Sequence, residues 1–185
     1  MEVMLDTEFT DLINTPALIS LTLVADDGSE LYFELDSRAW KRSWCSTFVR
    51  EAVLPLLGDP IERISIQEAS DRTREFFARW DVVCVWTDAP NYDAVFLRKL
   101  LCVEGKSFPV HVSIRSLVWS EAQRSSAYAL EVERQIASGL RRHHALDDAK
   151  AQFAGKRIAD TLCLPEAPPE LSPDFATKRL KSPPV

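Results

Sequence analysis

The chain has 185 residues, 46% of them hydrophobic and 27% charged, which suits one soluble domain with a core of its own. Its formal net charge of −6 excludes a protein that coats long nucleic acid, since such binding neutralises many phosphates, but leaves room for a grip on a few nucleotides at an end. No window approaches eighteen uninterrupted apolar residues and no basic segment followed by an apolar run opens the chain, so neither a membrane span nor a secretory leader is expected.

The first predicted element is a strand through MLDTEF, Met4 to Phe9. A strand alternates its faces, so Asp6 and Glu8 project to the same side. Like charges placed there repel, and burying either is costly unless something positive lies between them. ALISLTLVADDGSELYFEL, Ala17 to Leu35, predicts two more strands about a DDGS turn, with Gly28 where positive φ is wanted. A helix is predicted from about Ser46, on a stripe of Phe48, Val49, Val53 and Leu56 that ends at LLGDP, and a second over Gln67 to Trp80.

DVVCVWT, Asp81 to Thr87, is apolar without alternation and predicts a strand covered on both faces. NYDAVFLRKLL follows as a helix capped by Asn91, with Phe96, Leu97, Leu100 and Leu101 on its buried side. A fifth strand falls within Pro109 to Trp119, a helix over about Ser120 to Leu140, and a last helix from near Ala145. In that helix Leu146, Ala149 and Phe153 share a stripe, and Ala145 and Ala149 are small enough to let it approach the sheet closely. Leu164 to Val185 is proline-rich and reads as an extended tail, giving a domain over 1–163 and a tail over 164–185. Strands alternating with helices indicate an α/β layered domain.

Cys45, Cys84, Cys102 and Cys163 form no CxxC pair and read as buried, reduced thiols of a cytoplasmic protein. With only His111, His143 and His144, no structural zinc site is expected. Basic residues gather in SRAWKRSW (Ser37 to Trp44), at Arg98 and Lys99, and at Arg141 and Arg142, as a solvated face or as phosphate contacts. Trp40, Trp44 and Trp119 either pack or stack bases.

Two later stretches carry acids that an α/β domain brings near the first pair. Asp93 opens a helix just after DVVCVWT, at the strand end where open sheets place their sites, although an acid in a first helical turn is also favoured by the helix dipole. In HHALDDAKAQF, His143 to Phe153, Asp148 lies beside the apolar stripe, and His143 belongs to the loop leading in. A loop histidine beside a fixed aspartate can serve as base and ligand.

DTEF, YDAVFL and HHALDDA, in that order, resemble the three motifs of the DEDDh family of 3′-to-5′ exonucleases, which includes oligoribonuclease, RNase T and polymerase proofreading subunits. The resemblance covers roughly Glu2 to Ala159, and its most specific part is the HxxxxD spacing of His143 and Asp148 in an ALxDA context. It implies an RNase H-like mixed β-sheet with helices on both faces. It also implies two divalent ions, Mg²⁺ or Mn²⁺, among Asp6, Glu8, Asp93 and Asp148, where hard cations choose carboxylate oxygens and supply the missing positive charge. By this analogy Asp6 bridges the ions, Glu8 and Asp148 hold the nucleophile-side ion, Asp93 coordinates directly or through water, and His143 is the general base. His144 is left to phosphate or solvent, while Phe9 and Leu12 line the terminal nucleotide's pocket.

The DTEF form resembles small bacterial exoribonucleases, so the expected reaction releases nucleoside monophosphates from the 3′ end of single-stranded RNA. A proofreading or repair DNA exonuclease and an inactive nucleic-acid-binding module are the alternatives, and a homodimer is implied by analogy. Two departures stand out. Ala89 occupies a position where the family often has asparagine, with Asp88 and Asn91 flanking it, and Phe9 and Asp11 replace small residues of the first motif.

Overall fold

The computed structural model describes residues 1–12, 15–117, 119 and 121–162; the expected tail and Cys163 lie outside the described residues. Strands form at β1 (Glu2–Phe9), β2 (Leu18–Ala25), β3 (Glu30–Glu34), β4 (Val83–Thr87) and β5 (Val112–Ser116). They make one five-stranded sheet in the order β3-β2-β1-β4-β5. β1 pairs antiparallel with β2, and β2 with β3, through a turn that holds Gly28 at φ 87. β4 pairs parallel with both β1 and β5, and parallel neighbours require crossovers. α1 (Ile66–Phe77) precedes β4 and α2 (Asp93–Leu101) precedes β5, followed by α3 (Ala122–Ala137) and α4 (Ala145–Thr161).

The alternation of β1 sorts its residues between two cores. Val3 and Leu5 pack with Phe76, Phe77, Leu97 and Leu101, from α1 and α2, whereas Met4 packs with Val24, Ala149 and Phe153 on the α4 side. Burying each such aliphatic or aromatic side chain contributes about 1.5–3 kcal/mol. The sheet is thus covered on both faces, and α3 packs onto α4. Gly155 makes that contact possible, because a Cβ there would lie 2.8 Å from Tyr128 Cδ2 and 2.9 Å from the Tyr128 carbonyl oxygen.

Three expectations are corrected. The helix expected from Ser46 is irregular: Val49–Val53 is a π-helical turn in which the Leu54 N–H reaches the Val49 carbonyl, and Leu54–Leu56 is a 3₁₀ turn. Pro55, with no N–H to give, interrupts regular α-helix there. Val49 and Val53 are buried, but Phe48 is 56% exposed and leaves the stripe. Asn91 does not cap α2; the position before Asp93 is Tyr92, with no side-chain cap. Cys45 is buried and Cys84 half-buried, whereas Cys102, past the last buried turn of α2, is exposed; all of these described cysteines are free. No described helix is long and apolar enough to cross a membrane.

Candidate active site

Asp6 and Glu8 share the face of β1 that Met4 presents to α4, and cross-strand register sets them opposite Thr22 and Ser20 of β2. The hydroxyls of Thr22 and Ser20 are buried there without a partner. The register breaks between Glu8 and Phe9, a bulge of the kind that re-aims side chains at sheet ends.

Asp93, the first residue of α2, is only 1% exposed, yet both of its oxygens are held. Oδ1 accepts from Thr7 Oγ1 at 2.5 Å, and Oδ2 accepts from the hydroxyl of Thr87, the last residue of β4. Those neutral donors fix the carboxylate and leave its charge uncompensated.

α4 delivers the rest. Ala145 and Ala149 are fully buried, so the helix lies close to the sheet, as their size anticipates. Asp148 Oδ2 accepts the backbone N–H of His143 at 2.6 Å, and Asp147 Oδ2 accepts from Arg141 N at 3.0 Å and Arg141 Nε at 2.7 Å. The acids of ALDD therefore tie down the loop before the helix. They hold His143 at φ 64, a left-handed conformation that few residues other than glycine adopt. The half-buried His143 ring meets the edge of Phe48, centroids 4.9 Å apart.

The result is two adjoining groups of ligand atoms. Glu8, His143 and Asp148 each offer an atom within 4.8 Å of the others, and Asp6, Asp88 and Asp93 do the same. All five residues singled out in the sequence, Asp6, Glu8, Asp93, His143 and Asp148, come together. Asp88 joins them, although the sequence marks it only as a neighbour of Ala89. Gln152 was missed as well: its Nε2 donates to Asp6 Oδ1 at 2.9 Å while its Oε1 is buried without a partner. Its place one turn beyond Asp148, on the same helical face, was the available signal. Nothing in the pattern marked Thr7, Thr87 or Phe48.

The electrostatics are those of crowded, desolvated acids. Burial, then the charges of Asp93, Glu8, Asp148 and Asp88, push Asp6 well above the usual carboxylate range. Burial, with Asp148 and Asp93, pushes Glu8 up to about 8. Asp93 is raised by burial to about 7 against the opposing pull of the Thr7 and Thr87 hydroxyls, and Asp148 to about 6 against the His143 N–H. Burial and the Arg142 charge lower His143, which keeps it neutral. Among the described residues no lysine or arginine forms a salt bridge with any of these acids. Hard carboxylate oxygens, one imidazole and the lack of a salt-bridged cation together fit a bound metal ion.

Phe9 and Leu12 line an apolar hollow of about 320 Å³ with Glu8, Asp11, Ser46, Phe48 and Val49, so it opens directly beside the acids. Phe9 stacks on Tyr92 with centroids 4.8 Å apart, and Leu12 is 71% exposed. The Ser46 N–H bonds the Thr10 carbonyl at 2.9 Å, which clips the irregular helical segment to the end of β1.

Other candidates lie elsewhere. His144 is buried, stacks on Tyr32 and lines a separate hollow of about 400 Å³ whose lining includes none of Asp6, Glu8, Asp88, Asp93 and Asp148. Trp40 is buried and donates to the Leu35 carbonyl at 2.8 Å, Trp119 packs on Tyr128, and Trp44 is exposed with Lys41 over its ring. Arg141 and Arg142 pair with Asp147 and Glu133.

Over residues 1–157 the chain matches the family described as the 3′-5′ exoribonuclease Rv2179c-like domain. No curated protein matches it. Among solved structures it is similar to E. coli exonuclease I in a zinc-bound complex with single-stranded DNA, at 13% identity and a TM-score of 0.59, over 86% of this chain and 40% of that one. It is also similar to E. coli exonuclease I with a dA16 oligonucleotide, at 12% identity and a TM-score of 0.57, over the same shares. The chain thus spans 40% of the length of those exonuclease I chains. The likeness shows the fold: the mixed sheet with helices on both faces is the RNase H-like fold of these exonucleases.

Proposed function

The chain belongs to the Rv2179c-like 3′-5′ exoribonuclease domain family, and from that premise we propose that it removes nucleoside monophosphates one at a time from the 3′ end of single-stranded RNA. The observation that carries this reading is the convergence of Asp6, Glu8, Asp93 and Asp148 beside His143, with no salt bridge from a lysine or arginine to any of them among the described residues.

Asp6, Glu8, Asp93 and Asp148 would hold two divalent ions, Mg²⁺ or Mn²⁺. When bound, these supply Lewis acidity at the scissile phosphate and lower the pKa of water. His143 takes the proton from the attacking water through its imidazole, a role open to it because burial and Arg142 keep the ring neutral. Asp148 fixes the backbone of His143 and Phe48 fixes its ring. Phe9 and Leu12, with Phe48, provide the apolar hollow that receives the terminal nucleoside and sets its last phosphodiester against Glu8. Thr7 and Thr87 hold Asp93 and Gln152 holds Asp6, so these acids keep their geometry against mutual repulsion.

The same reading places the protein in the cytoplasm, where its free thiols stay reduced, and takes a homodimer as the assembly, which size-exclusion chromatography with light scattering tests. The substrate is tested with matched 3′-labelled RNA and DNA single strands. Release of labelled nucleoside monophosphate faster from RNA than from DNA supports it. A faster DNA reaction moves the assignment to a DNA exonuclease, and release of neither overturns it.

A further inference from the structure

Asp88 follows the last residue of β4 and stands at the exposed mouth of the site, yet one of its oxygens lies within 4.8 Å of ligand atoms of Asp6 and Asp93. Three carboxylates in that space repel one another, and the cost is tolerated only where a cation pays for it. Thr7 and Thr87 hold Asp93, and Gln152 holds Asp6. A second observation points the same way. Gln152 is 6% exposed, and its Oε1, on the amide that contacts Asp6, is buried without a partner. The buried Tyr128 hydroxyl stands beside Asp88 and feels the charges of Asp88, Asp6 and Asp148. Oxygens of this kind accept hydrogen bonds from ordered water, and Mg²⁺ characteristically retains several of its waters.

We propose that Asp88 is a fifth carboxylate of the metal centre, acting with Asp6 and Asp93 on the ion farther from His143. This rests on the metal-dependent reading above and deepens it. Affinity for hard cations is set partly by the number of charged ligands. The leaving-group side of the site therefore stays occupied at metal concentrations where Asp6 and Asp93 alone would release their ion.

The test is Mn²⁺ binding by calorimetry on the metal-free full chain, with Asp88→Asn and Asp93→Asn beside the unaltered protein. Asp88→Asn is expected to bind one Mn²⁺ about tenfold more weakly, in the range seen when groups supporting a metal site are removed. Asp93→Asn is expected to lose that site. Metal-free Asp88→Asn should melt no lower than the unaltered protein, since a like charge has been removed, which separates weaker binding from misfolding. Mn²⁺ affinity within twofold of the unaltered protein overturns the role of Asp88 and leaves the proposed function standing. Absence of Mn²⁺ binding by the unaltered protein overturns both.

Discussion

His143 shows how one residue is prepared by its neighbours. Asp148 accepts its N–H at 2.6 Å and so stabilises a backbone at φ 64 that otherwise costs about 1–3 kcal/mol, while Phe48 stands against its ring. His143→Ala should lower kcat by about 10²–10⁴-fold, the usual scale of general-base catalysis, with Mn²⁺ binding at Asp6 and Asp93 retained. Steady-state kinetics and calorimetry on the same preparation check both halves. Because the base must be neutral, activity falls as pH drops through its pKa, which burial and Arg142 hold below the ordinary 6.5. Arg142→Gln removes one of those two causes, so the acidic limb of the pH–rate profile should move to higher pH. Thr87→Val keeps shape but removes the donor to Asp93 Oδ2, and should weaken Mn²⁺ binding about tenfold. Strand period put Asp6 and Glu8 on one face, and the resemblance of DTEF, YDAVFL and HHALDDA to the DEDDh motifs singled out Asp93, His143 and Asp148 with them; the structure brings these residues into two adjoining groups. Thr87 was not legible, because a hydroxyl ending a strand carries no pattern until its partner across the turn is known.

At the scale of elements, α4 does most of the assembly. It brings Asp148 and Gln152 to β1 and anchors the loop that carries His143, and it can do so because Ala145 and Ala149, buried against the sheet, are small. Its other side meets α3 at Gly155. Alanine is the better helix former by about 1 kcal/mol, but a Cβ there would sit 2.9 Å from a backbone oxygen that cannot move without shifting α3. Overpacking of that kind costs about 1–3 kcal/mol, so Gly155→Ala should be net destabilising in urea denaturation; a variant of equal or greater stability contradicts this packing. The strands and the helices α1 to α4 were legible from period and punctuation. The segment from Ser46 was not: its apolar spacing suits a regular helix, yet Pro55 and the bond from Ser46 to Thr10 reshape it and turn Phe48 out toward the site. Pro55 was the local signal for this break, whereas the bond from Ser46 to Thr10 left no local trace.

For the molecule as a whole, the acids make stability depend on pH and on metal together. Glu8, Asp93 and Asp148 have folded-state values raised to about 8, about 7 and about 6, from ordinary values of 4.5, 3.8 and 3.8. The folded state then holds protons more tightly than the unfolded chain. Stability is fully present below about pH 4 with respect to these groups and is lost as pH rises through 6 to 8. A bound divalent ion relieves that penalty, so the rise in melting temperature on adding Mn²⁺ should be larger at pH 8 than at pH 6. Thermal scans at both values check it, and an equal rise contradicts it.

The most direct test of the metal-dependent site is a time course on 5′-labelled single-stranded RNA with Mg²⁺, with EDTA, and with the Asp6→Asn and His143→Ala proteins. A ladder shortening from the 3′ end in Mg²⁺, absent in EDTA and in Asp6→Asn and slowed at least a hundredfold in His143→Ala, is the predicted result. RNA that stays intact with both Mg²⁺ and Mn²⁺, or is shortened at an undiminished rate by Asp6→Asn, contradicts the assignment of this site.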